Sequence, residues 1–178
     1  MRGLVPVAIL SILGCHEPST LNPDEAFAVH GRPVAAACVY ELSGDGVAAV
    51  DVEGCAKSRR HADGRSSRSA DGWRYENPAL LGDGFFCYWW LGRTDKGTHA
   101  LLTAVNGGSS GIDFQVLFVT LKAQDYAADG KTGRRWTLTS LGRVALGDRT
   151  RDRAELEEGQ LVVRTPSGDC RRIPVPQF

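Results

Sequence analysis

The stretch GFFCYWWLGRTDKGTHALLTAVNGGSSGIDFQVLFVTL, residues 84–121, decides the fold class. Three runs dense in aromatic and β-branched residues, 84–91, 98–105 and 112–121, are separated by TDKG at 94–97 and NGGSSG at 106–111, both made of turn formers. Such runs read as strands joined by hairpins, because a helix needs apolar residues at a period of about 3.6 over roughly ten or more positions. Within the first run, alternation puts Phe85, Cys87 and Trp89 on one face and Phe86, Tyr88 and Trp90 on the other. Aromatics on both faces favour a central strand buried on both sides. An open second face, with Arg74 or Arg93 beside it, is the competing reading, a platform for a glycan or protein partner.

Working outward, the same texture recurs in VAAACVYEL (34–42), GVAAVDVEG (46–54), RRWTLTSL (134–141), GRVALG (142–147), RAELE (153–157), QLVVRT (160–165) and CRRIPV (170–175). Further turn signals stand at SGDG (43–46), EEGQ (157–160) and PSGD (166–169). In Arg153-Ala154-Glu155-Leu156-Glu157 small and apolar residues alternate with charges, as in a strand with one face on a core; a helix over 151–158 competes. No segment holds helical periodicity for three turns, and no fixed-period repeat is present. The expected fold is all-β, an antiparallel meander of about eight to ten short strands forming a sandwich or barrel.

The 178 residues, 42% of them hydrophobic, suffice for the core of one domain. Lys plus Arg and Asp plus Glu are 21 each, so no global field draws the chain to nucleic acid. Residues 1–14, MRGLVPVAILSILG, carry one positive charge and then a short apolar run, the layout of an export signal. Ile12-Leu13-Gly14-Cys15 resembles the lipobox of bacterial lipoproteins, in which an aliphatic residue and a small one precede the cysteine. The resemblance implies a diacylglycerol thioether on Cys15, cleavage before it and N-acylation, hence a lipid-anchored cell-envelope protein. In that family an Asp after the cysteine favours inner-membrane retention; His16 stands there, which implies the outer membrane, facing the periplasm or the cell surface. Residues 15–33, with three prolines, read as the lipidated cysteine and a flexible tether, and 34–178 as one β-rich domain.

After Cys15 there remain Cys38, Cys55, Cys87 and Cys170, an even number that suits two disulfides in an oxidising compartment. A hairpin turning at 43–46 sets Cys38 opposite about Asp51, some 13 Å from Cys55 at ~3.3 Å per residue, which disfavours that pair unless the chain bends. The other pairings stay open.

Gly107-Gly108-Ser109-Ser110-Gly111 matches the G-x-S-x-G of serine hydrolases, but a strand follows it and His16, His30, His61 and His99 all precede it, so the hydrolase order cannot be built. Asp125, Asp129 and Gly130 fit places in a Ca²⁺ loop, whereas Ala127 and Trp136 stand where ligands are needed; a plain Asp-Gly turn is the simpler reading. No His, Cys, Asp or Glu pair has a strong zinc spacing, and no cofactor is expected. Lys57, Arg59, Arg60, Arg65 and Arg68 crowd KSRRHADGRSSR, which reads as a solvated loop or as a contact for anionic headgroups or an acidic partner.

Ser69-Ala70-Asp71-Gly72-Trp73-Arg74-Tyr75 and Tyr88-Trp89-Trp90-Leu91-Gly92 resemble the S-x-x-G-x-R-Y and W-W-x-x-G elements of membrane-bound lysozyme inhibitors, over about residues 35–102. The resemblance implies that Ser69 and Arg74 or Tyr75 enter an enzyme's cleft. The principal expectation is a non-catalytic, membrane-tethered domain that binds an envelope protein or glycan, through residues such as Arg59, Arg60, Arg65, Arg68, Arg74, Tyr75 and Trp90. A lysozyme-inhibitor-like protein is one alternative. A small envelope enzyme using Asp113, Ser109, His99 and Asp125 is the other.

Overall fold

The computed structural model describes residues 23–69, 72–108, 110–128, 131–148 and 153–177. The export signal and Cys15 therefore lie outside the described residues, as do Ser109 and Asp129. The described chain runs α1 (Pro23–Ala26), β1 (Ala28–Val29), β2 (Arg32–Pro33), α2 (Ala36–Ser43), β3 (Ala49–Asp51), α3 (Val52–Ala56), a 3₁₀ turn (Arg59–His61), β4 (Arg65–Ser69), β5 (Gly72–Glu76) and α4 (Pro78–Leu81). It continues through β6 (Phe85–Arg93), β7 (His99–Asn106), β8 (Asp113–Ala128), β9 (Lys131–Asp148), β10 (Arg153–Glu157), β11 (Gln160–Arg164) and β12 (Cys170–Pro174).

The fold is all-β. Strands β4 to β9 follow one another as an antiparallel meander, and β3 pairs with β9, giving a curled seven-stranded sheet of order β3-β9-β8-β7-β6-β5-β4. A second antiparallel sheet holds β10-β11-β12 and a third only β1-β2. The runs read separately as RRWTLTSL and GRVALG are one strand, β9, bent by register shifts at Phe114/Gln115 and Phe118/Val119 of its partner β8. Bulges let long strands curl without ending. The alternating RAELE is strand β10, not a helix, and Glu158 and Gly159, with φ of 47° and 74°, supply the two positive dihedrals that its tight hairpin to β11 requires.

Both faces of the large sheet are covered. Leu101, Leu117, Val119 and Leu138 face a core shared with α2 and α3, which also takes Phe86 and Tyr88. Ala100, Val116 and Phe118 face the other way, against Ala154, Leu161 and Val163 of the three-stranded sheet and Val175. Strand β6 is thus central, as its aromatics imply, with Phe86 and Tyr88 buried on one face and Cys87 on the other.

Two expectations are corrected here. VAAACVYEL is not a strand: Ala36–Ser43 is helix α2, packed against β3, β5, β6 and β9. Arg143 of β9 closes its C-terminal end, donating to Ser43 O at 3.0 Å and Gly44 O at 3.2 Å. Of the segment read as tether, the described part, residues 23–33, is folded. His30 and Gly31, at φ of 51° and 72°, turn a two-residue hairpin that sends Phe27 inward, 1% exposed, its ring edge-on to Tyr88.

The helix removes the premise against the Cys38–Cys55 pair. With Cys38 on α2 and Cys55 on α3, their Cα atoms are 5.7 Å apart and the disulfide forms. Of the two bridges expected only this one is present: Cys87 is a buried thiol and Cys170 an exposed one. The bridge closes a loop with a sequence separation of 17. Loop-closure entropy then makes Cys38→Ser with Cys55→Ser cost about 3 kcal/mol, a fall in Tm of roughly 6–12 °C by scanning calorimetry under oxidising conditions. Reducing the wild type is expected to reproduce that fall.

Candidate functional site

Beside the disulfide lies the most elaborate polar cluster among the described residues. Asp51 caps α3, accepting from Glu53 N and Gly54 N, and Ser58 starts the 3₁₀ turn by accepting from Arg60 N. That turn drives His61 inward. Its Nδ1 lies 2.8 Å from Tyr75 Oη and its Nε2 3.1 Å from Glu41 Oε2. Asn77 Nδ2 donates to Tyr75 Oη at 2.8 Å, while Asn77 Oδ1 caps α4 at Ala79 N. Because Asn77 donates to the phenol oxygen, the phenol gives its own proton to Nδ1, and the Nε2–H is left to donate to Glu41. Burial raises the Tyr75 phenol above its ordinary range, against the Asn77 bond. The network is closed, each member serving the next.

His99 occupies a second enclosed position. Trp90 Nε1 donates to its Nδ1 at 3.1 Å, and the Phe27 ring lies 5.1 Å from its own. Burial first, and the Arg93 charge second, lower its pKa to about 4, so it is neutral at physiological pH.

The enzyme set is not assembled. His99 pairs with Val119, six residues along β8 from Asp113 and six from Asp125, which puts each carboxylate roughly 20 Å away along the strand. Asp125 stands on β8 opposite Arg134.

The basic residues separate into two groups. Arg68 is ion-paired with Asp24 and its guanidinium lies 5.6 Å from the Trp73 ring centre. Arg74 pairs with Glu76 at 2.7 Å and sits 4.0 Å over Phe85. Arg59, Arg60 and Arg65 are exposed and have no carboxylate partner among the described residues; they run from the 3₁₀ turn onto β4, the edge strand of the large sheet. Lys57 instead lines a groove of about 280 Å³ by α3, where Arg135 meets Asp51 at 3.5 Å and covers Tyr126 at 4.4 Å.

Two expected binding residues lie wholly or partly inside the domain. Tyr75 is 1% exposed. Trp90 is half-buried with its indole N–H directed to His99. Glu41, His61 and Asn77 were given no role by the sequence reading. The one signal pointing to His61 is a lone histidine in a basic run, which the spacing of the residues leaves without a partner. No family model, curated protein or solved structure matches the chain.

The lowered pKa of His99 fixes a sign. Unfolded, the imidazole titrates near 6.5; folded, near 4, so the unfolded chain binds the extra proton between these values. Stability is complete above pH 6.5 and is lost as pH falls toward 4, by up to about 3 kcal/mol. Thermal unfolding at pH 7.5 and 4.5 should show this, with a smaller difference in His99→Gln; an unchanged difference in that variant refutes the assignment.

Proposed function

We propose that this chain is a non-catalytic, lipid-anchored envelope domain that binds an acidic protein or glycan through the basic edge formed by Arg59, Arg60 and Arg65. The lipobox Ile12-Leu13-Gly14-Cys15 supports the anchor, and His16 after it the outer-membrane location. The observation that carries the binding reading is that these three guanidiniums, on the 3₁₀ turn and the start of the edge strand β4, are exposed and have no carboxylate partner among the described residues, whereas Arg68 and Arg74 on the β4–β5 hairpin are neutralised within the domain. Free cations cost nothing to redirect to a partner; paired ones must first give up their own anions. Support for a non-catalytic role comes from His61 and His99, both enclosed and both engaged with core groups.

Two measurements test this. Intact-mass spectrometry of the membrane fraction should find a chain starting at an acylated Cys15, while Cys15→Ser retains residues 1–14; an unmodified full-length chain defeats the anchor. In envelope extracts, the immobilised domain should retain an acidic partner that elutes as salt rises. Arg59→Glu, Arg60→Glu and Arg65→Glu together should weaken capture roughly tenfold or more, with Tm unchanged. Equal capture by wild type and triple variant defeats the edge as the binding site.

A further inference from the structure

We propose that opening the Cys38–Cys55 disulfide creates a buried zinc site whose ligands are Cys38 Sγ, Cys55 Sγ, His61 Nε2 and a Glu41 carboxylate oxygen. The ligand atoms of Glu41, Cys55 and His61 all lie within 4.8 Å of one another. Tetrahedral zinc, with bonds of about 2.0–2.3 Å, needs its ligand atoms roughly 3.3–3.8 Å apart, so a small inward movement suffices. Cys38, whose sulfur is bonded to that of Cys55 but lies outside this group of three, becomes the fourth ligand by a side-chain rotation once the bond opens. Cys38 and Glu41 stand three residues apart on α2, on one helix face.

The surroundings suit a metal-bound imidazole. Such a histidine donates its other N–H to a fixed acceptor, and Tyr75 Oη, itself held by Asn77, is 2.8 Å from Nδ1. Cys38, Cys55 and His61 are buried and Glu41 is partly exposed, so the ligand set is largely enclosed.

The chemistry is a two-electron reduction followed by proton release. A dithiol attacks the Cys38–Cys55 bond through a mixed disulfide and departs as its own cyclic disulfide, leaving two thiols. Zinc then displaces one proton from each thiol to solvent. The His61 proton passes from Nε2 to Nδ1, and the Tyr75 hydroxyl rotates its own proton out of the Nδ1 direction so that Oη accepts from Nδ1–H. With the disulfide closed, neither sulfur is a thiolate and the site does not exist. Zinc binding therefore belongs to chains that have met a thiol reductant.

The test uses the full chain carrying Cys15→Ser and Cys170→Ser, which leaves Cys87 as the one cysteine outside the proposed site. After phosphine reduction and desalting without oxygen, it is titrated with Co²⁺ and then Zn²⁺. One equivalent of Co²⁺ should give thiolate charge-transfer absorption in the near ultraviolet and tetrahedral d–d bands in the red, both bleached by one equivalent of Zn²⁺. Zn²⁺ should raise the Tm of the reduced chain and leave that of the disulfide-bonded chain unchanged. Glu41→Gln, which keeps both thiols, should weaken Co²⁺ binding roughly tenfold or more, and Cys38→Ser with Cys55→Ser should abolish the bands. The proposal is overturned if spectrum and Tm of the reduced chain ignore both metals, or if the bands survive in the double serine variant, which places the metal on Cys87.

Discussion

The large sheet has no face it can leave wet, and the rest of the molecule follows from that. In β7, Ala100 and Leu101 are neighbours and both fully buried; in β8, Val116 to Val119 are four consecutive buried residues. Successive strand residues point to opposite sides, so each side needs an apolar cover. Exposing one such leucine or phenylalanine costs about 1.5–3 kcal/mol, and several stand on each side. Helices α2 and α3 cover one face and the three-stranded sheet covers the other. The layers are thus a consequence of how the central strands are composed.

That same demand explains which parts of the fold were legible. Residues 84–121 state their strands openly, because β-rich runs and turn residues alternate there, and β6, β7 and β8 begin within one or two residues of where the runs do. The two-residue turn at Glu158-Gly159 was legible for the same local reason. Helix α2 was hidden because it is buried nearly all round: Ala36, Ala37, Cys38, Val39, Leu42 and Ser43 are all buried. A helix enclosed on every side has no polar stripe and so no 3.6-residue rhythm to detect. Three successive alanines and the Gly44 that follows Ser43 were the available signals, and both are weak beside a strand-like run. The disulfide was hidden with it, since only a helix at Ala36–Ser43, and not a hairpin strand, brings Cys38 within reach of Cys55.

The candidate site was less legible than the fold, for a reason of distance. Glu41, His61, Tyr75 and Asn77 come from a helix, a 3₁₀ turn, a strand and a loop, and no spacing between them is a motif. What joins them is the cost of burying polar atoms. Tyr75 enters the core because β5 is flanked by β4 and β6, and its hydroxyl must then find partners. His61 and Asn77 supply them, and Glu41 takes the remaining N–H of the imidazole. Among the described residues, no buried side-chain nitrogen or oxygen lacks a partner. The cluster therefore ties the 57–68 segment, which looked like a loose basic loop, to the helix layer. Its arginines are held in place by a histidine buried between them.

The two edges of the large sheet are treated differently, and the difference favours one of them for recognition. Strand β3 has three residues, runs straight into α3, and carries Asp51, which meets Arg135 of the neighbouring strand. That edge is short and occupied by its own helix. Strand β4 has five residues, pairs only with β5 among the described residues, and is exposed from Arg65 to Arg68. An edge of that length invites pairing with another chain unless charge prevents it. Arginines on β4 repel a second copy of the same edge, so self-association is opposed by the feature that, in the proposed function, attracts an acidic partner. Under that proposal one set of charges serves both ends, discouraging edge-to-edge pairing and setting the sign of what the edge accepts.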